Sequence, residues 1–423
     1  MGLRMDDKSL KSRIRSGRVK FAAMAGAYAL GSFNDNFFKQ SAMLLAVAAN
    51  KSWVQGYATV AFSFPYILFA AQVGWLADRF SKGNVVILAK GLEVAAMMAG
   101  AAGICLENVW LMLLMLAIMG TQSAIFGPAL NGSIPELFPA EYVNTANAIL
   151  RVAVTTAILL GIVLAGFVLD VHGPSLGGIR FGNALVAGGV ILTAALGLLV
   201  SLGVHRQPAA APRARFPWSG PVESFREFRR VWRDPLLFDT IGLNTFCWFC
   251  GSLMALLLNQ TGLVQLGLSR SGTSALVMGE ILGFAAGGFI GSRLARGPRW
   301  YRILAPAAAV MGALMAAVAG CGLLPGGGFQ KGCLFSCILG IGLAGGALLI
   351  PTEGFIQVRP PPERKGAVIA AANMAAFSGI LLSGPAANAL NASIQPTLSF
   401  GLLGLAAILI AVFHRWRVSR LPC

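Results

Sequence analysis

The sequence predicts an all-α integral membrane protein with twelve transmembrane helices, arranged as two parallel six-helix pseudo-repeats with both termini in the cytoplasm. Of the 423 residues, 56% are hydrophobic and only 12% are charged. So few polar side chains cannot cover the surface of a water-soluble globule. The apolar residues also form twelve separate stretches of the length, about 20 residues, that a spanning helix needs.

The twelve stretches fall into two groups of six, separated by Gly, Pro or charged residues. The first six cover 21–49, 54–77, 84–104, 108–133, 146–169 and 180–203, and the second six cover 236–260, 272–295, 301–323, 331–355, 366–390 and 394–415. The predicted domains are an N-terminal tail (1–20), an N-terminal six-helix bundle (21–203), a linker (204–235), a C-terminal six-helix bundle (236–415) and a tail (416–423).

The linker at 204–235 is the one long polar connection in the chain, and it contains seven arginines. It is predicted to be cytoplasmic, with an amphipathic helix at 222–232 that lies on the membrane surface. The first apolar stretch starts after Lys20 and is too long for the core of a signal peptide, so an uncleaved first span is expected.

The net charge of +17 would suggest a nucleic-acid partner in a soluble chain. With the N-terminus inside, however, 26 of the 33 Lys and Arg residues fall in cytoplasmic tails and loops. This distribution of basic residues indicates the orientation of the chain in the membrane, so no nucleic-acid partner is expected. Three histidines and seven scattered cysteines predict neither a metal site nor a cofactor.

An internal repeat supports the division into halves. The segment Gly74–Gly83 after the second span aligns without gaps on Gly288–Gly297 after the eighth, at an offset of 214 residues. Six spans separate the copies, so both loops face the same side and the halves are parallel repeats. The second copy has Ser292 where the first has Asp78.

The segment Gly74–Gly83 resembles the signature loop of the major facilitator superfamily. In physical terms, a glycine lets helices approach closely, and an aspartate at a helix end can pair with an arginine to hold a cytoplasmic gate shut. The predicted gating residues are Gly74, Asp78, Arg79, Lys82 and Arg293.

Further motifs resemble the lysophospholipid transporter branch of that superfamily, which includes members fused to acyltransferases. They are Asn34-Asp35-Asn36-Phe37, Phe126-Gly127-Pro128, Pro135-Glu136-Leu137, Thr145-Ala146-Asn147, Phe246-Cys247-Trp248, Leu258-Asn259-Gln260 and Arg364-Lys365-Gly366. The chain departs from the branch at two positions: Leu130 stands where a lysine is frequent, and Arg151 where an acid is frequent.

Charged residues inside the predicted spans are the candidate substrate-binding groups, because each costs about 2.5–3.5 kcal/mol at the bilayer centre. Asp35, between Asn34 and Asn36, is the first candidate, since a carboxylate can accept the ammonium of an ethanolamine headgroup. The alternative is a structural pair with Lys39, four residues further on the same helix face.

Arg151 and Glu280 complete the candidate set. Arg151 can grip a lipid phosphate, or reach the interface, or pair with Glu136 or Glu141. Glu280 can balance a cation of the other half or couple transport to protons.

Two further patterns are read as structural. Lys90 and Glu93 are expected to neutralise each other. The glycines spaced by four on the eighth span are expected to pack against a neighbouring helix; they are Gly279, Gly283, Gly287 and Gly291.

The resemblance implies a transporter that moves lysophospholipid across the bacterial inner membrane for re-acylation, by alternating access. A monomer with a separate cytoplasmic acyltransferase as partner is expected. The first alternative is a proton-coupled transporter of another amphiphile or drug. An acyltransferase and a membrane scaffold are the other classes weighed: no histidine begins a His-x4-Asp motif, and a scaffold needs no polar first helix.

Overall fold

The computed structural model describes residues 7–206, 208–213, 215–295, 297, 299–361 and 364–419. Within these ranges, no side chain is described at residues 7–10, 131, 135, 140, 141, 144, 221, 223 and 224. Parts of both predicted tails (1–6 and 420–423), Arg296 of the second motif copy and the Glu141 side chain therefore lie outside the described part.

Fourteen α-helices make up the described chain, and its only β-structure is an isolated bridge between Leu176 and Ile179. The helices are α1 (Asp7–Ala48), α2 (Trp53–Leu68), α3 (Ala70–Arg79), α4 (Lys82–Cys105), α5 (Val109–Leu137), α6 (Ala140–Leu169), α7 (Phe181–Leu202), α8 (Gly220–Val231), α9 (Pro235–Gln260), α10 (Arg270–Leu294), α11 (Leu304–Cys321), α12 (Gly328–Val358), α13 (Lys365–Ser393) and α14 (Pro396–Val418).

Ten of these helices are long and apolar enough to cross a membrane, or eleven when α2 and α3 count as one bent span. With its 42 residues, α1 is long enough to supply a twelfth. The predicted all-α membrane fold is confirmed, whereas the cytoplasmic placement of both termini stays a prediction.

Several helix ends follow from their sequence. Asn108 caps α5 by accepting a hydrogen bond from the Leu111 backbone N–H at 3.1 Å. Asp234 caps α9 in the same way, and Pro235 occupies the first turn of that helix, where a missing N–H costs nothing. Ser269 caps α10.

The structure differs from the predicted spans at two places. The first helix begins at Asp7, so residues 7–20 of the predicted tail are helical. The predicted span 54–77 is divided into α2 and α3, which are bent by 55° relative to each other. Pro65 lies one turn before the bend, and proline removes a backbone hydrogen bond, which is the usual cause of a kink.

The helices pack into two compact units. The first comprises the chain up to Ala42 together with Leu68–Gly220, and the second comprises Met43–Ile67 together with the chain from Pro221 onward. The end of α1 and most of α2 therefore pack within the second unit. The six-plus-six domain boundaries stay a prediction.

The second unit is built on a very close contact between α10 and α12. A Cβ at Gly287 would lie 1.8 Å from the Leu343 carbonyl oxygen, and one at Gly283 would lie 2.1 Å from that of Leu339. From the other side, a Cβ at Gly346 would lie 2.0 Å from the Phe284 carbonyl oxygen. The prediction that the α10 glycines form a packing face is confirmed.

We expect Gly287→Ala to lower the stability of the purified protein, because the added methyl group forces α10 and α12 apart. Such overpacking costs about 1–3 kcal/mol. Gly332→Ala on α12 is the matched control, since a Cβ there meets nothing within 4 Å. The check is the thermal midpoint of both variants in detergent; equal midpoints would contradict the role given to the contact.

Candidate functional site

Asp35 is a half-buried residue of α1 in the first unit, and its carboxylate accepts hydrogen bonds from α5. Ser123 Oγ donates to Asp35 Oδ2 at 2.6 Å, and Gln122 Nε2 donates to Oδ1 at 3.4 Å. Gln122 is itself buried and also donates to Ser123 Oγ at 2.8 Å. The carboxylate is thus held in position by two neutral donors of α5.

Lys39 lies one helical turn after Asp35 on α1, and it is partly buried. Its spacing places it on the same face as the carboxylate, where the two charges attract. The alternative of a structural pair therefore stays open beside the binding role of Asp35.

A second polar cluster lies deeper in the first unit. Lys90 and Glu93 on α4 form a salt bridge with side-chain exposures of 1% and 0%, so the predicted mutual neutralisation is confirmed. Asn34 on α1 donates to Glu93 Oε1 at 3.3 Å and to the Val190 carbonyl on α7 at 3.1 Å. Asn34 therefore connects three helices through one buried charge.

Two glycines provide the space for the Lys90 ammonium. A Cβ at Gly31 on α1 would lie 2.5 Å from Lys90 Nζ, and one at Gly197 on α7 would lie 3.4 Å from it. The ring of Phe126 adds a cation–π contact at 5.5 Å. The charge is fully enclosed by α1, α4, α5 and α7.

The third polar residue of the segment, Asn36, is directed elsewhere. Its amide donates to the Ser32 carbonyl on the same helix at 2.8 Å. The neighbouring α1 backbone packs closely on α6, where a Cβ at Gly161 would lie 2.5 Å from the Phe33 carbonyl oxygen. The three consecutive polar residues thus face three different surroundings, and a shared binding role for them stays a prediction.

The structure places the remaining predicted binding residues on α6 and α10. Arg151 is exposed on α6. Glu280 is buried in the second unit with 8% exposure, and among the described residues it has neither a hydrogen-bond nor a salt-bridge partner. Gly251 of α9 lies near the Glu280 carboxylate: a Cβ added at Gly251 would lie 4.0 Å from Glu280 Oε1.

At the predicted gating loop, the described ion pair joins Lys82 to Glu136. Lys82 is buried at the start of α4, and Glu136 lies in the last turn of α5. Asp78 is exposed, and its backbone carbonyl accepts from Ala211 N–H of the linker at 2.8 Å. A pair between Glu136 and Arg151 is one of the alternatives that the sequence leaves open. The structure favours Lys82 as the partner of Glu136.

Among the other residues of the gating motif, two arginines lie over aromatic rings, and a glycine has open space beside its Cα. Arg79 lies over the Trp75 ring at 5.5 Å, and Arg293 lies over the Phe289 ring at 4.0 Å. A Cβ at Gly74 would meet nothing within 4 Å. The expectation that Gly74 allows a close helix contact is therefore wrong for this structure.

Amide side chains connect the start of α2 to α9 within the second unit. Asn259 Nδ2 donates to Gln55 Oε1 at 3.0 Å, and both residues are fully buried. Ser52 Oγ donates to Gln260 Oε1 at 2.8 Å. We call Ser52, Gln55, Asn259 and Gln260 the amide cluster.

Beside the amide cluster, α2 and α13 touch through their backbones. A Cβ at Gly56 would lie 2.5 Å from the Gly384 carbonyl oxygen. Asn388 Nδ2 donates to the Trp53 carbonyl at 3.0 Å. This end of α2 therefore has no room for a side chain between it and α13.

Comparison with known proteins identifies the class. The polytopic helical fold and its intramembrane charges are those of membrane transport proteins, and the model of the Major Facilitator Superfamily matches residues 21–384. The chain belongs to the major facilitator superfamily.

Sequence relatives narrow the likeness to one branch. The chain is 29% identical over 360 residues to "Lysophospholipid transporter LplT" of Salmonella newport and of Salmonella typhimurium. The aligned region covers 84% of this chain and 83% of each relative. The predicted resemblance to the lysophospholipid transporter branch is confirmed.

Solved structures agree on the fold. The chain resembles a D-xylose-proton symporter with a TM-score of 0.71 at 14% identity, covering 95% of this chain and 97% of that one. It also resembles a bacterial homologue of the lysosomal transporter Spinster with a TM-score of 0.65 at 14% identity, covering 95% and 96%. At such identities these likenesses concern the fold alone.

We expect Lys90→Met to destabilise the protein by roughly 3–5 kcal/mol, because it leaves Glu93 as an uncompensated buried charge. Glu93→Leu is expected to have a similar effect through Lys90. The double variant should be closer to wild type than either single variant, since both charges are removed together. Thermal midpoints in detergent measure this coupling, and additive losses would contradict it.

Proposed function

We propose that this protein is a transporter that moves lysophospholipid, such as lysophosphatidylethanolamine or lysophosphatidylglycerol, across the bacterial inner membrane for re-acylation. The observation that supports it most directly is the half-buried Asp35, whose carboxylate is held by Ser123 and Gln122, on a chain 29% identical to LplT. A separate acyltransferase on the cytoplasmic side, and a monomeric transporter, complete the proposal.

Asp35 gives the headgroup a binding partner of the right chemistry. Its two described donors, Ser123 and Gln122, are neutral, and a carboxylate in this position can accept the ammonium of an ethanolamine headgroup. Asn34, Asn36 and Lys39 flank this position, and Arg151 is proposed to bind the phosphate through its planar guanidinium. The acyl chain would remain in an apolar lateral opening. An amphiphilic substrate requires such an opening, whereas a sugar does not.

Alternating access between the two predicted bundles requires contacts that can break and re-form. The residues Gly74, Asp78, Arg79, Lys82 and Arg293 are proposed to act at the cytoplasmic gate. The amide cluster is proposed to act at the opposite end of the spans, because Asn259 and Gln260 end α9, which begins at the linker. Hydrogen bonds between neutral amides suit such a gate, since each contributes only about 0.5–1.5 kcal/mol.

Proton-coupled transport of another amphiphile is the second candidate, and the burial of Glu280 is the observation that favours it. A buried carboxyl without a described charged partner is a group that can take up and release a proton. In this alternative Glu280 and Asp35 are the coupling groups.

We expect Asp35→Asn to slow the transbilayer movement of labelled lysophosphatidylethanolamine in proteoliposomes by roughly tenfold to a hundredfold. A hydrogen bond to a charged group is worth roughly 1.5–3 kcal/mol, and the amide cannot replace the charge. Ser123→Ala should produce a smaller loss in the same direction, because it releases the carboxylate.

Thr121→Val is the matched control for Ser123→Ala, since the Thr121 hydroxyl donates to Ala117 of its own helix at 2.9 Å. Unchanged movement by a folded Asp35→Asn protein would remove Asp35 from the proposed site. Absence of movement by the wild type would remove the proposed substrate itself.

We expect lysophospholipid movement to proceed without an imposed ion gradient and to be retained by Glu280→Gln. The reason is that the energy of lipid redistribution down its own gradient is sufficient. The check compares wild type and variant in proteoliposomes with and without a pH gradient. Movement that requires the gradient and is lost in Glu280→Gln would favour the proton-coupled alternative.

A further inference from the structure

One face of the linker helix α8 is fixed against the second unit. Glu227 is buried with 5% exposure and accepts hydrogen bonds from Arg364, with Arg364 Nε at 3.0 Å, and from Arg230 Nη1 at 3.4 Å. Val231 and Phe228 pack in an apolar cluster with residues of α9, α12 and α13. The contact between Arg364 and Glu227, together with this packing, sets the rotation of α8 about its own axis.

The opposite face of α8 presents a stripe of basic and apolar side chains. Its members recur at intervals of three and four residues and are all exposed, and they continue through the turn that follows the helix. We call Val222, Phe225, Arg226, Arg229, Trp232 and Arg233 the α8 stripe. Phe225 is 63% exposed and Trp232 65% exposed.

The neighbours of α8 place the stripe at the end of the spans. Phe238, in the first turn of α9, stacks on Trp232 with ring centroids 5.1 Å apart and lies 5.8 Å from Phe228. The cluster partners Ile356 and Val368 lie in the last turn of α12 and the first turn of α13. All three contacts belong to the same end of the helices, so α8 lies across the level at which these spans leave the membrane.

We propose that the α8 stripe binds the anionic headgroups of the surrounding phospholipid bilayer, with phosphatidylglycerol as the representative lipid. Three arginines supply charge complementary to the phosphates, and the exposed aromatic residues beside them suit the apolar part of the interface. A solvated linker gains nothing from exposing Phe225 and Trp232, whereas an interfacial helix buries them. The site is separate from the proposed substrate position on α1 and does not depend on the identity of the substrate.

The test counts phosphatidylglycerol and phosphatidylcholine molecules retained by the purified full-length protein in native mass spectrometry, over a titration of each lipid. The wild type should retain phosphatidylglycerol in preference to phosphatidylcholine. Arg226→Gln/Arg229→Gln/Arg233→Gln should weaken phosphatidylglycerol retention by about fivefold for each arginine removed, and leave phosphatidylcholine unchanged.

Arg206→Gln/Arg213→Gln/Arg215→Gln is the matched control, because it removes the same charge from the same linker outside the stripe. It should retain phosphatidylglycerol as the wild type does. Equal retention by all three proteins, or equal loss in the control, would overturn the proposal. If the triple variant does not fold, Arg229→Gln alone should still show the single-arginine loss, and no loss would overturn the proposal.

Discussion

The arrangement of the first unit depends on the need to neutralise one buried cation. Lys90 lies inside a bundle without access to water, so its charge must be met by Glu93 within the same helix. The remaining acceptor capacity of Glu93 is met by Asn34 of α1, and the ammonium occupies space left by Gly31 and Gly197. This one requirement fixes the rotation of α1, and Asp35 is directed toward α5 as a result.

In the second unit, the contact between α10 and α12 depends on backbone proximity and not on charge. Along α10 and α12, backbone carbonyl groups of one helix lie against glycines of the other, in the space that side chains occupy between other helices. These two helices therefore form a rigid pair. At the start of α2, by contrast, the contact combines one close glycine crossing with neutral amide hydrogen bonds. The first kind of contact resists separation over its whole length, and the second is confined to one end of a helix. A gate requires the second kind.

The sequence predicted features that depend on neighbours within one helix. The Lys90–Glu93 pair follows from a spacing of three, and the packing face of α10 from a spacing of four. Contacts between helices were predicted less well. Gln122 and Ser123 are two polar residues in an apolar span, a signal that was available, but their partner Asp35 is distant in sequence and depends on which faces converge.

The same limit explains the gating loop and the bend. Lys82 and Glu136 are separated by 54 positions, so sequence spacing gives no indication that they pair. The bend after Leu68 had a local signal in Pro65, yet proline inside a membrane helix is often accommodated without a break, so the residue alone did not decide the geometry.

The two departures from the lysophospholipid transporter branch lie in different surroundings. Leu130 is 2% exposed in the apolar core of the first unit, where its side chain contributes packing and no charge to a substrate. Arg151, by contrast, is exposed on α6 and does not belong to this apolar core. Under the proposed function, Arg151 and Asp35 together are complementary to both charges of a zwitterionic phosphoethanolamine headgroup, whereas lysophosphatidylglycerol offers a phosphate to Arg151 and no cation to Asp35.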